Sequence, residues 1–208
     1  MPTSDAARAA KGRAPHRRDE NARIAVLHAA DDLLVELGFS GVTIEGIAAR
    51  AGVAKQTIYR WWSSKVDILM DTLIEDASRQ LAIPDTGSAI ENTRRYLGAL
   101  ACFVMENPAG KVLLALIGHA QHDPAVAATF HERYLDPQRQ KEREMLQRGI
   151  AAGELSAAFD LDAALDALVG PVLYRALTGA RIPGPFIDRL ITDALGRHLG
   201  ESAESLED

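Results

Sequence analysis

Apolar residues recur at three- and four-residue steps along almost the whole chain, and the runs are separated by Gly and Pro. Ile24, Leu27, Ala30, Leu34 and Leu37 follow that step, as do Ile44, Ile47, Ala48 and Ala51. A period near 3.6 puts such residues on one face of an α-helix, whereas a half-buried strand would alternate every second residue. Aromatic residues make up only 5% of the chain, Ala and Leu are abundant, and β-branched runs are few. The expected fold class is all-α, with about nine helices. The 208 residues can fill one large domain or two modest ones.

Breaks in the pattern divide the chain. Residues 1–18 are small, polar and basic and read as a flexible arm. A small N-terminal unit is expected over 19–82. Asp19 would cap its first helix, Gly38 would end it, and Thr43 would cap a short second helix stopped by Gly52. A third helix follows over Lys55–Trp62, with Ile58 and Trp62 inward. Ser64 and Asp67 form a Ser-x-x-Asp cap for a fourth that runs to about Gln80. Ile83-Pro84-Asp85-Thr86-Gly87-Ser88 is the clearest boundary. Beyond it, over 83–200, helical segments are expected near 88–106, 110–120, 124–152, 160–178 and 185–199. Pro137 and Pro171 lie inside two of these and should kink them, or start the first late. Residues 201–208 are an acidic tail.

Charge is uneven along this order. Residues 1–65 hold ten Lys/Arg against seven Asp/Glu, although the whole chain has a net charge of −6. A basic head on an acidic protein is the distribution expected when only one part meets a polyanion. Apolar runs such as Val112–Ile117 are far short of a membrane span, and the basic start has no apolar stretch of a secretory signal. The single cysteine, Cys102, suits a reducing cytoplasm and is expected to be a buried, inert thiol. No Walker-type loop, His-Glu-x-x-His, Gly-x-Ser-x-Gly or Cys-x-x-Cys is present, so no catalytic residues and no cofactor are assigned.

Function concentrates in residues 41–65, GVTIEGIAARAGVAKQTIYRWWSSK. Two short helices joined by Ala51-Gly52-Val53 make a helix-turn-helix. The second spends its outward positions on Lys55, Gln56, Thr57, Tyr59, Arg60 and Trp61. No acidic residue occurs from Gly46 to Ser64. In a major groove, Lys can donate to guanine and Gln can pair with adenine, while hydroxyls suit phosphate oxygens.

The stretch VTIEGIAARAGVAKQTIYRWWSSKVDIL resembles the N-terminal signature of TetR-family transcriptional regulators, and the preceding GRAPHRRDENARIAVLHAADDLLVELGFSG is similar to their arm and first helix. Further on, Ala151-Ala152-Gly153-Glu154-Leu155 and Leu165–Gly179 with its Gly170-Pro171 are similar to one group of TetR-type C-terminal domains. The resemblance implies a helical homodimer that binds a near-palindromic operator and usually represses. By position, Thr43 would touch a phosphate, Lys55 and Gln56 would read bases with Thr57 beside them, and Tyr59, Trp61 and Lys65 would grip the backbone.

The resemblance also implies a small-molecule effector site among the later helices. Candidate lining residues there are Phe103, Met105, Leu113, Leu116, His119, Phe130, Tyr134 and Tyr174, with His119 and Tyr134 as polar contacts to an apolar or amphipathic effector. His119 and His122 do not make a metal site by themselves, and no metal is assigned. Two apolar stripes, Leu161, Leu165, Leu168, Val172 and Ala176, then Phe186, Leu190, Ile191, Ala194 and Leu195, are expected to form the dimer interface. The sequence thus reads as a cytoplasmic, ligand-responsive repressor of double-stranded operator DNA. Activation, effector-independent DNA binding and a helical enzyme or binding protein are the alternatives.

Overall fold

The computed structural model describes residues 5–83, 87–156 and 160–196, with side chains described from residue 19 onward. In order the helices are α1 (Asp5–Gly41), α2 (Ile44–Ala51), α3 (Lys55–Tyr59), α4 (Lys65–Gln80), α5 (Ala89–Glu106), α6 (Pro108–Ala120) and α7 (Pro124–Phe130). A π-helical turn (His131–Leu135) then leads into α8 (Asp136–Ala151), followed by α9 (Leu161–Leu177) and α10 (Gly184–Leu195). With the run from α7 through the π turn to α8 counted as one, nine helices occur among the described residues. None is long and apolar enough by itself to cross a membrane.

The chain divides into two compact units, Met1–Thr72 and Leu73–Asp208. This division by contacts falls inside α4, ten residues before the boundary that the sequence places after residue 82. Residues 84–86 of the predicted break, the start of the arm at 1–4 and the acidic tail at 201–208 lie outside the described residues.

In the first unit α1 begins at Asp5, where the pattern predicted an arm reaching to residue 18. Ala is the strongest helix former, and this stretch holds Ala6, Ala7, Ala9, Ala10 and Ala14. Asp19 is therefore mid-helix and not a cap. The buried face of α1 is also rotated from the predicted one. Leu27, Ala30 and Leu34 are buried together with Val26 and Leu33, whereas Ile24 and Leu37 are exposed. Gly38, at φ 69° and ψ 172°, breaks α1 where expected, and one further turn follows it.

The second unit is organised around α5, which packs against α6, α8, α9 and α10. Side-chain caps set its boundaries. Ser88 accepts from Glu91 N, Asn107 from Ala109 N, Asp123 from Ala125 and Val126 N, and Asp160 from Asp162 and Ala163 N. Each satisfies amides that the first turn leaves without intrahelical partners. Between α5 and α6 the chain bends by 84°. Gly110 makes that corner possible, because a Cβ on it would lie 1.9 Å from the carbonyl oxygen of Phe103. Pro137 sits in the first turn of α8, immediately after the π turn, where its missing N–H is tolerated. Cys102 is exposed, contrary to expectation, because the phase of α5 turns Ala101, Phe103 and Val104 inward.

Candidate nucleic-acid interface and internal cavity

The helix-turn-helix is assembled as its sequence requires. Thr43 Oγ1 accepts from Gly46 N at 3.0 Å, which caps α2. Gly52 takes a left-handed conformation at φ 68°, so the chain can reverse within three residues. Ile47 and Ile58 are fully buried and Trp62 nearly so, and Trp62 Nε1 donates to Asp71 Oδ2 at 2.7 Å. Helix α3 ends at Tyr59, earlier than predicted, and a turn carries the chain on to Trp62.

With the inner side packed, Lys55, Gln56, Tyr59 and Arg60 are exposed, and Thr57 and Trp61 are half-buried. Two of the cations are paired. Lys55 Nζ donates to Glu45 Oε1 at 3.0 Å, and Arg60 reaches Asp19 at 2.9 Å while lying 5.0 Å from the Trp61 ring. The Lys55 bond holds the Glu45 carboxyl below its ordinary range and the lysine above its own. Arg50 forks onto Glu36 at 2.9 and 2.6 Å, joining the end of α2 to α1.

Lys65 departs from its expected role as a grip on DNA. Its Nζ donates to the carbonyl oxygens of Phe39 and Val42 at 2.8 and 2.9 Å and lies 4.5 Å from the Phe39 ring. Two of its three donors are thus spent inside the domain, and partial burial lowers the lysine's pKa. Ser64 and Asp67 form the predicted reciprocal cap at the start of α4, at 3.0 and 3.2 Å.

The second unit encloses a cavity of about 280 Å³. Of the predicted lining residues, Phe130, Tyr134 and Leu113 face it. Phe103 and Leu116 are buried in the core beside α5 and α6 but do not line the cavity, and neither does the half-buried His119. Met105 and Tyr174 do not line it and are 39% and 69% exposed. Helical phase explains both, since the cavity side of α5 carries Tyr96 and Leu100 and that of α9 carries Val169 and Leu173.

Sequence reasoning missed a buried polar set in the same cavity. The Tyr96 hydroxyl donates to Glu142 and accepts from Gln138 Nε2 at 3.1 Å. Glu142 is 4% exposed, and burial pushes its carboxyl above the ordinary range. Burial likewise raises Tyr134 and Tyr96, so both phenols stay protonated at neutral pH. A signal was present. Phe130, Tyr134, Gln138 and Glu142 follow one another at four-residue steps and so share a helix face. Among the described residues no three His, Cys, Asp or Glu side chains gather as a metal site.

The stripes predicted for the dimer interface divide evenly, with Leu161, Ala176, Phe186, Leu190 and Ala194 half-buried. Leu165, Leu168, Val172, Ile191 and Leu195 are buried within the subunit. The outer faces instead present Tyr174 and Leu177, with Phe186 and Leu190 half-buried and Arg175 4.0 Å above the Phe186 ring.

Comparison with known proteins gives the same division of the chain. Residues 26–71 match the bacterial regulatory proteins of the tetR family, and residues 83–194 match the tetracyclin repressor-like C-terminal domain. The chain is 38% identical over 178 residues to the HTH-type transcriptional regulator YdeS of Bacillus subtilis, covering 85% of this chain and 89% of that one. It is 27% identical to the DNA-binding transcriptional repressor TetR of Mycobacteroides abscessus, covering 86% and 94%. The crystal structure of the TetR family regulator SCO0332 shares 31% identity and superposes with a TM-score of 0.70 over 83% of this chain and 95% of that one. FadR from Bacillus subtilis, solved with stearoyl-CoA, has the same fold at a TM-score of 0.69 and 19% identity, covering 83% and 97%. A packed helix-turn-helix followed by a matching helical domain, with relatives aligned across both, makes this chain a member of the TetR family of DNA-binding transcriptional regulators.

Proposed function

We propose that the protein is a ligand-responsive repressor that binds a palindromic operator as a homodimer and is released by a small molecule held in the cavity. The observation that carries this reading is the exposed α3 surface. Lys55, Gln56 and Tyr59 face outward from a helix whose inner residue, Ile58, is fully buried. Gln56 reads a base edge, Lys55 leaves Glu45 to do the same, and Thr43, Thr57, Tyr59, Arg60 and Trp61 contact the backbone.

Dimerisation would use the outer faces of α9 and α10. It would set two α3 helices about 34–36 Å apart or at a multiple of that spacing. Effector binding would act through α4, whose residues are divided between the two units. A ligand preferring the non-binding state by a few kcal/mol is enough to move most of the population. In this role the protein works by equilibrium binding, without a catalytic step. The repressor named among its relatives supports the direction of control.

The test is selection of bound sequences from random DNA, followed by anisotropy titrations over a range of salt. An enriched inverted repeat is expected, with log K falling as log salt rises at about −0.9 per phosphate neutralised. No enriched sequence, or salt-indifferent binding, refutes the proposal.

A further inference from the structure

Among the described lining residues Glu142 is the buried carboxylate, and it shares its counter-charge with two acidic neighbours. Glu142 faces the cavity, and its nearest cation, Arg139, stands off at 3.8 Å. That guanidinium is committed elsewhere, bonding to Asp166 and to the backbone oxygen of Asp162. Arg143, in turn, is taken by Asp162. Glu142 therefore accepts from the Tyr96 hydroxyl and has one ion-pair partner, Arg139, which it shares with Asp166. A carboxylate in a water-poor site strongly favours a partner that restores the charge balance.

The rest of the wall suits an organic cation. Phe130 and Tyr134 stack at 5.6 Å between centroids, and Tyr96 presents a third ring. Aromatic faces attract a desolvated cation, while the aliphatic lining takes an apolar body.

We propose that the cavity selects an organic cation, an amine or ammonium on an apolar body of modest size, with Glu142 meeting the positive end. The inference rests on the reading of the cavity as the effector site and adds its chemical class. An anionic ligand of equal size would set its charge against Glu142.

Three near-isosteric probes test this on the full chain, namely 4-phenylbutylamine, 4-phenylbutan-1-ol and 4-phenylbutanoate. Binding is measured by calorimetry, and release of operator DNA by anisotropy. The expected order is amine, alcohol, carboxylate, with the amine about tenfold or more tighter than the alcohol. Glu142→Gln should bring amine and alcohol together and leave the alcohol unchanged, while Glu142→Asp keeps the preference. The wild-type order alone decides the matter should Glu142→Gln fail to fold. A carboxylate that equals or beats the amine, or a preference that survives Glu142→Gln, overturns the proposal. If the probes release DNA without favouring the amine, the effector reading stands and the charge preference falls. If the amine leads but no probe releases DNA, the preference stands and the effector reading falls. If none binds, both fall.

Discussion

Lys55 on α3 is held by Glu45 on α2, Nζ to Oε1 at 3.0 Å, across the turn of the helix-turn-helix. The lysine proposed to meet a base edge is therefore already paired with a carboxylate. Both groups are exposed, so water and salt weaken the pair and DNA can break it readily. Glu45 then acts as a guard against indiscriminate binding. Glu45→Gln should raise affinity for unrelated DNA severalfold and steepen the salt slope by about one. Titrations with operator and scrambled duplexes read both effects, and the operator should gain less than the scramble. Equal gains would show that Glu45 acts only through bulk charge.

Lys65 gives the opposite kind of prediction. Its two bonds to the Phe39 and Val42 carbonyls join the start of α4 to the end of α1 and the approach to α2. Lys65→Ala leaves those oxygens without their charged donor. Thermal unfolding should report a loss on the order of 1–2 kcal/mol. The salt slope for DNA should stay nearly unchanged in molecules that remain folded. A fall of one in slope with undiminished stability would restore Lys65 as a phosphate contact.

These two lysines mark the line between what neighbouring residues decide and what distant partners decide. Helix starts depend on atoms two or three residues apart, so Thr43 and Ser64 with Asp67 could be read as caps directly. The inner face of the helix-turn-helix was legible for the same reason, since Ile47, Ile58 and Trp62 follow helical spacing. Partners distant in the chain were not. Lys65 reads as an exposed cation until the end of α1 arrives beneath it. Glu142 sits in Gln140-Lys141-Glu142-Arg143-Glu144, a run that resembles a solvated face, and only Tyr96 from α5 makes it an interior group. The phase of α9 misled in a related way. Leu165, Leu168 and Val172 form a genuine stripe, but periodicity cannot say whether a stripe is buried by its own subunit or by another.

Tyr174 and Leu177 test the outer faces that remain. They are 69% and 53% exposed on α9, and apolar side chains so placed are ready material for association. Tyr174→Glu with Leu177→Glu should convert the dimer to a folded monomer in analytical ultracentrifugation. Operator affinity should drop sharply, because one half-site then binds alone. Retention of the dimer would move the interface elsewhere.

Gly110 controls the corner between α5 and α6. Gly110→Ala brings a methyl group against the backbone of Phe103, which cannot rotate away as a side chain can. The loss should reach or exceed the about 1–3 kcal/mol of ordinary overpacking, read as a lower Tm. Gly118→Ala makes the control, since nothing lies within 4 Å of a Cβ there and helix propensity favours Ala.

Glu142 makes stability depend on pH with a definite sign. Burial raises its folded pKa above the ordinary 4.5, so the folded chain holds a proton that the unfolded chain releases. Below the unfolded value both states are protonated and the side chain imposes no penalty. As pH rises through the folded value the penalty grows, and it is complete once the buried group ionises. Glu142→Gln keeps the shape and removes the titration. Its Tm should match the wild type most closely below the ordinary carboxylate range, exceed it increasingly as pH rises above that range, and run parallel once the buried carboxyl has ionised. Asp162 titrates in the opposite sense, because its bond to Arg143 lowers its pKa. That contribution is common to both proteins, so the difference between their Tm curves isolates Glu142. A difference that is flat with pH would place the carboxylate in water.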